Sequence, residues 1–188
     1  MNRTALLAPL AGAVLATCLA QPAAAIDFSL SGMSVEGGTT EDRVDADRYG
    51  FNLRWDLGHP LFTVGDWRMV SYLELGVNYW DSNKGRTGQD NLVDFGLTPV
   101  FRYEVDPNRG FAPFIEAAVG VHLHTEDELS DKDFDIPFAF GSHMGAGARF
   151  GANGEYELMY RYQHQSNAGI GDSNPGINFH IVSLGMHF

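Results

Sequence analysis

From residue 49 to the end of the chain, apolar and polar side chains alternate one for one in segment after segment, a period of two that only extended strands turn into two distinct faces. Tyr49, Phe51, Leu53, Trp55 and Leu57 alternate with Gly50, Asn52, Arg54 and Asp56. Trp67, Met69, Leu73, Leu75, Val77 and Tyr79 alternate with Arg68, Tyr72, Glu74, Gly76 and Asn78. The pattern recurs over residues 93–104, 111–123, 138–150, 156–162 and 178–188, and a less regular stretch, 26–35, changes phase near Gly32 as at a bulge. Eight strands are therefore predicted, an even number that permits antiparallel closure, and the fold class is all-β. The high glycine content, 22 of 188 residues, suits tightly packed strands and turns better than helix.

The two faces differ in chemistry as well as in polarity. Arg48, Arg54, Arg68, Glu74, Asp94, Arg102, Glu104, Glu116, Arg149, Glu157 and Arg161 all fall on the polar parity, so charges of both signs share one side of the sheet. A soluble sandwich, or an exported soluble barrel binding a small apolar ligand, would bury the apolar parity and wet these charges. Three features favour the opposite arrangement. The segments have the length a tilted membrane strand needs. Their apolar faces begin or end in aromatics, as interfacial girdles do. The chain stops on Phe188, in phase with the apolar face. The prediction is an eight-stranded antiparallel transmembrane β-barrel with an apolar outer wall and a salt-bridged interior too narrow for a pore. An exported chain ending in an aromatic strand resembles bacterial outer-membrane barrels, which sets the expected location as the cell outer membrane.

Residues 1–25 read as a signal peptide: a basic Arg3, a small and apolar stretch, and Ala23-Ala24-Ala25 as the cleavage site, leaving 26–188 as the barrel. The single cysteine, Cys18, falls in that segment, where Thr17 before it fits a lipoprotein processing site poorly. A formal charge of −12, from 12 basic and 24 acidic residues, excludes nucleic acid as a partner of the usual electrostatic kind. Connections alternate in kind: 57–66, 105–110 and 151–154 carry turn chemistry and should be periplasmic, whereas 37–44, 81–91, 124–136 and 167–176 are mostly longer and more polar and should be extracellular. The acids Glu126, Asp127, Glu128, Asp131, Asp133 and Asp135 crowd one of these loops. They read as a solvated surface, with divalent-cation bridging to lipopolysaccharide phosphates as the sharper alternative. His122, His124 and His143 share the inward parity and read as hydrogen-bonded lumen residues rather than metal ligands.

One constellation carries chemistry. In Tyr160-Arg161-Tyr162-Gln163-His164-Gln165-Ser166-Asn167, His164 and Ser166 lie on the apolar parity with Tyr160 and Tyr162, so both project outward. Polar side chains on a lipid-facing wall are costly and have no structural motive. Counting back from Phe188, the same parity reaches His180 and Asn178, and in a hairpin Asn178 lies across from His164. His164 can then serve as general base for Ser166 while Asn178 holds the other imidazole nitrogen.

His-x-Ser-Asn near the end of the penultimate strand, then Asn174-Pro175-Gly176, then a last strand ending in Phe, resembles the PagL-type lipid A 3-O-deacylases. The resemblance is sharp over residues 160–188 and elsewhere rests on size, leader and strand pattern. It implies a serine esterase that hydrolyses the ester-linked acyl chain at the 3-position of lipid A, with lipopolysaccharide as substrate, without metal or cofactor, and with a homodimer among the assemblies it allows. His164 matches the family's catalytic histidine, Ser166 its nucleophile and Asn167 the asparagine that follows. Asn174 and Gly176 fall in the loop expected to contribute oxyanion donors. One position departs from the pattern: the family's acid is a Glu twelve residues after the serine, where this chain has Asn178. Asn can orient an imidazole but cannot neutralise an imidazolium, and the analogous Asp-to-Asn change in serine proteases costs roughly 10⁴ in rate. Asp172 is the nearest acid in sequence that could substitute. The reading that competes with the esterase is a small outer-membrane barrel with a structural or adhesive role.

Overall fold

The computed structural model describes residues 29–40, 44–82 and 89–188; the leader expected at 1–25 lies outside them. Eight long strands follow one another: β1 (Gly32–Thr40), β2 (Ala46–Asp56), β3 (Trp67–Ser82), β4 (Asn91–Val105), β5 (Phe111–His124), β6 (Phe138–Phe150), β7 (Tyr156–Ser166) and β8 (Ile177–His187). Each pairs antiparallel with its sequence neighbours, and β1 pairs with β8, so the sheet closes and no edge is left unpaired. The last amide, Phe188 N–H, donates to Ser31 O at 3.0 Å and ties the two ends of the barrel wall together.

The alternation seen in the sequence becomes inside and outside. Val35, Phe51, Val77, Leu97, Val119, Leu158 and Leu184 are exposed on the outer wall, whereas Arg54, Glu74, Arg102, Glu116, Glu157 and Arg161 are buried in the lumen. An apolar band that encircles the molecule is stable against hydrocarbon and not against water. At the end with the short turns, Trp67 stacks on Tyr103 at 5.0 Å and Phe150 on Tyr156 at 5.8 Å, as an interfacial girdle requires.

Inside, the charges neutralise one another. Glu157 accepts from Arg54 at 2.7 Å, from Arg102 at 2.5 Å and lies 2.9 Å from His187; Arg161 reaches Glu74 at 2.8 Å and Glu116 at 3.1 Å. Arg102 also lies over the Phe114 ring at 3.8 Å. Buried charges of this density are tolerated because nearly every one has a bidentate or shared partner.

Several sequence expectations are corrected. The first described strand spans Gly32–Thr40; of the stretch expected as strand, Ser29–Ser31 lie outside it and 26–28 lie outside the described residues, and the register with β8 is unbroken from Gly32 to Thr40, so residues 37–40 expected in a loop belong to the wall. The expected turn at 57–66 contains a short strand, Phe62–Val64, that folds back on the start of β3. The acidic loop is not a plain solvated surface: Glu128–Leu129 and Lys132–Asp133 form a small hairpin over the barrel mouth. Finally, the interior is not ionic throughout. At the long-loop end Trp80, Leu92, Leu129, Phe134, Ile177, Phe179 and Ile181 make an apolar plug. The inward parity turns apolar there because the hairpin supplies Leu129 and Phe134 as packing partners, a contact no local sequence pattern announces.

Candidate active site

On β8 the usual polarity inverts. Ile177, Phe179 and Ile181 point inward and are fully buried in the plug, while Asn178 and His180 point outward. On β7 the outward row runs Tyr160, Tyr162, His164, Ser166, and the inward row Arg161, Gln163, Gln165 is buried. Polar groups therefore appear on the outer wall where the interior has become apolar, at the long-loop end of the hairpin.

The hairpin register pairs His164 with Asn178 directly, and the His164 Nδ1 lies 2.7 Å from Asn178 Oδ1. With the amide oxygen as acceptor, Nδ1 carries the proton and donates it, and Nε2 is left as the basic nitrogen. Ser166 shares the outward face two residues further towards the loops, and like His164 it is half-buried. Among the described residues no hydrogen bond joins the Ser166 hydroxyl to His164. Neighbours i and i+2 on a strand are separated by roughly 6.5–7 Å along the chain, so the two side chains must lean together for a proton to pass, and catalytic contacts of this kind commonly tighten only with substrate bound.

Gly176 closes the other side of the imidazole. Its φ of +61° is left-handed, and a Cβ built there would stand 2.8 Å from His164 Cε1 and 3.5 Å from Nε2, so the backbone runs against the basic edge of the ring. The Gly176 carbonyl accepts a hydrogen bond at 2.5 Å from Nζ of Lys132, which sits on the acidic hairpin.

Asn167 and Asn174 are brought to each other. The Asn167 backbone N–H donates to Asn174 Oδ1 at 3.0 Å, and Asn167 Nδ2 donates to Ser173 O at 2.7 Å and Phe134 O at 3.1 Å. Asn167 Oδ1 accepts from the Gly169 N–H at 2.9 Å. Asn167 continues the inward parity of Gln163 and Gln165, which is why its side chain is buried beneath the loop instead of facing Ser166. Its amide holds the loop's shape, while Asn174 is exposed at the surface.

Asp172 does not stand in for the missing acid: it is exposed, and its backbone N–H donates to Asp135 Oδ2 at 2.7 Å, on the hairpin side of the loop. The position opposite the imidazole belongs to Asn178.

Behind the site, His122 Nδ1 sits 2.9 Å from Asp94 Oδ1 and His124 Nε2 2.9 Å from Gln165 Oε1. A Cβ at Gly96 or Gly141 would fall within 2.6 Å of the His122 ring, so these glycines make its room. Gln165, the residue between His164 and Ser166, is thereby pinned from the lumen side. Among the described residues no cluster of His, Cys, Asp and Glu has a metal-binding arrangement. Two groups beside the site were given no role from the sequence, although the outward parity of His180 was noted. His180 contacts the Tyr160 hydroxyl through Nδ1 and packs on the Tyr162 ring at 5.1 Å; its outward parity was the available signal. Lys132, 44 positions from Gly176, had none.

Comparison with known proteins identifies the family. A family model described as Lipid A 3-O-deacylase (PagL) matches residues 47–187. The chain is 32% identical over 129 residues to lipid A deacylase PagL of Pseudomonas aeruginosa, covering 69% of this chain and 71% of that protein. It is 33% identical over 121 residues to lipid A deacylase PagL of Bordetella bronchiseptica, covering 64% and 63%. The crystal structure of the outer membrane enzyme PagL superposes with a TM-score of 0.72 at 28% identity, covering 83% of this chain and 99% of that one. An eight-stranded barrel with His164 and Asn178 paired on its outer wall, matched over three quarters of its length by one family, thus belongs to the PagL family of lipid A 3-O-deacylases.

Proposed function

We propose that this outer-membrane barrel hydrolyses the ester-linked acyl chain at the 3-position of lipid A in the outer leaflet, with Ser166 as nucleophile and His164 as general base and then acid. The observation that carries the reading is the 2.7 Å contact between His164 Nδ1 and Asn178 Oδ1 on a wall otherwise built for lipid. It supports a base whose Nε2 can serve the serine hydroxyl on the same face, Ser166.

The chemistry balances as an acyl transfer through the enzyme. Nε2 takes the Ser166 proton as Oγ adds to the ester carbonyl carbon, and the carbonyl oxygen becomes an oxyanion. Backbone N–H of Gly176 and the side-chain Nδ2 of Asn174 are the donors in the adjoining loop for that charge. Collapse breaks the bond to the sugar oxygen, which leaves as a hydroxyl with the proton from Nε2. Water then gives a proton to Nε2 as its oxygen attacks the acyl-serine, and collapse breaks the bond to Ser166 Oγ, which takes that proton back from Nε2 as the fatty acid leaves. Asn178 holds the ring by accepting a hydrogen bond from the His164 Nδ1–H throughout, and no step calls for a metal or cofactor.

The site's position suits a substrate that never leaves the bilayer. A lipid ester at the headgroup boundary meets an outward-facing nucleophile directly, with its acyl chain along Tyr162, Tyr160 and Leu158, all exposed on the wall below. The test is a mass spectrum of lipid A from Gram-negative cells expressing the protein. Wild type should remove one ester-linked chain from the 3-position, and Ser166→Ala or His164→Ala should not, with both variants still migrating as folded, heat-modifiable barrels. Unaltered lipid A in cells carrying folded wild-type protein would favour a structural or adhesive barrel.

A further inference from the structure

The acidic loop between β5 and β6 was read from sequence as a solvated surface or a cation bridge. Its hairpin instead docks on the loop that follows Ser166. Phe134 O accepts from Asn167 Nδ2 at 3.1 Å, Asp135 Oδ2 accepts from the Asp172 N–H at 2.7 Å, and Lys132 Nζ donates to Gly176 O at 2.5 Å. The hairpin is itself held from below, since Leu129 and Phe134 are buried in the apolar plug with Ile177 and Phe179 of β8. Lys132 is therefore carried on a support that the fold has already fixed relative to β8.

The Lys132 contact differs from the other two in what lies behind it. Gly176 runs against the Cε1–Nε2 edge of His164, with a virtual Cβ at 2.8 Å, in a left-handed conformation directly before the strand pairing begins at Ile177. A hydrogen bond from an ammonium is roughly twice as strong as a neutral one. Bonded to the Gly176 carbonyl, it fixes the peptide plane between Gly176 and Ile177 and so the place of the Gly176 Cα beside the imidazole.

We infer that Lys132 is a positioning residue for the esterase: bonded to the Gly176 carbonyl, it holds the backbone wedge that aligns His164 for Ser166. The inference rests on the serine–histidine reading given above. It makes the β5–β6 hairpin a working part of a site otherwise confined to β7, β8 and their loop.

The test uses the purified full-length barrel in detergent micelles with lipid A, and compares wild type with Lys132→Met, which keeps the stem and removes the donor, and Lys132→Arg, which keeps a cationic donor. A fluorophosphonate supplies a second readout independent of the lipid: Ser166 Oγ displaces fluoride at phosphorus as His164 takes its proton, so the labelling rate reports the activated serine alone. Lys132→Met should lower kcat roughly tenfold or more, as small misplacements of catalytic groups do, with KM little changed, labelling slowed in proportion and heat-modifiability retained. Lys132→Arg should restore most of both rates. A raised KM with unchanged labelling would overturn the inference and assign Lys132 to the anionic headgroup of the substrate. Unchanged kcat and labelling would overturn it while leaving the serine–histidine reading intact. Wild-type protein that neither turns over lipid A nor takes the label would remove that reading and this inference together.

Discussion

Replacing Asn178 with Asp exchanges an amide oxygen for a carboxylate oxygen of the same reach, so the 2.7 Å contact with His164 Nδ1 is kept and only charge is added. In the ground state this changes little, because a general base begins the reaction as the neutral imidazole. In the transition state the imidazole has taken the serine proton, and the bond from Nδ1 becomes one between two charged groups. A neutral hydrogen bond contributes about 1 kcal/mol net and a charged one about 1.5–3. Coulomb attraction at ~4 Å and an effective dielectric near 20 sets an upper limit of about 4 kcal/mol. The site is half-exposed at the barrel surface, which favours the lower figure. A gain of about 1.5 kcal/mol corresponds to roughly tenfold in kcat. Asn178→Glu carries the same charge on a longer stem and should gain less unless the wall shifts to admit it. The assay is initial rate of fatty-acid release from lipid A by purified protein, with heat-modifiable mobility as the check on folding. A folded Asn178→Asp enzyme no faster than wild type would refute the idea that uncompensated imidazolium charge limits the rate, and with it the role given to Asn178.

Three further outcomes follow from the same geometry. Gly176→Ala should lower kcat by roughly tenfold or more while leaving the barrel folded, because the new methyl meets His164 Cε1 at 2.8 Å and the φ of +61° disfavours any side chain; kinetics on refolded protein, paired with its melting profile, separates the two effects. Glu157→Gln should destabilise the barrel by about 3–5 kcal/mol, since Arg54 and Arg102 both lose their shared carboxylate deep in the lumen, and this should appear as a lower urea midpoint for unfolding from lipid vesicles. Leu184→Arg, on the exposed outer wall, should weaken folding into bilayers by up to about 2–4 kcal/mol if it sits near the midplane, whereas a water-facing wall would show almost no change in the same titration.

How much of this was written in the sequence depends on the range over which each feature is determined. The strand period is local, so the parity of Arg54, Glu74, Glu157 and Arg161 could be read residue by residue, and the lumen network follows from closing the sheet. The His164–Asn178 pair was legible for the same reason: a hairpin of known parity leaves few registers, and the one observed puts these two opposite. The start of β1 was not legible, because apolar residues before Gly32 continue a plausible alternation that nothing in the sequence stops. The apolar plug and the docked hairpin were hidden because they join segments far apart. Phe134 meets Ile177, and Lys132 meets Gly176, only after the barrel has closed. Asn167 was assigned to the site through the family resemblance; its parity is inward, and its side-chain amide binds the Ser173 and Phe134 carbonyls.

The central claim is that a serine on the lipid-facing wall is made nucleophilic by the histidine two residues before it. The most direct test is peptide mass spectrometry of folded barrel after reaction with a fluorophosphonate in detergent. The account predicts one phosphonylated residue, Ser166, in wild type, with labelling of His164→Ala slowed by orders of magnitude. Label on another residue, or on Ser166 at the same rate without His164, would contradict it.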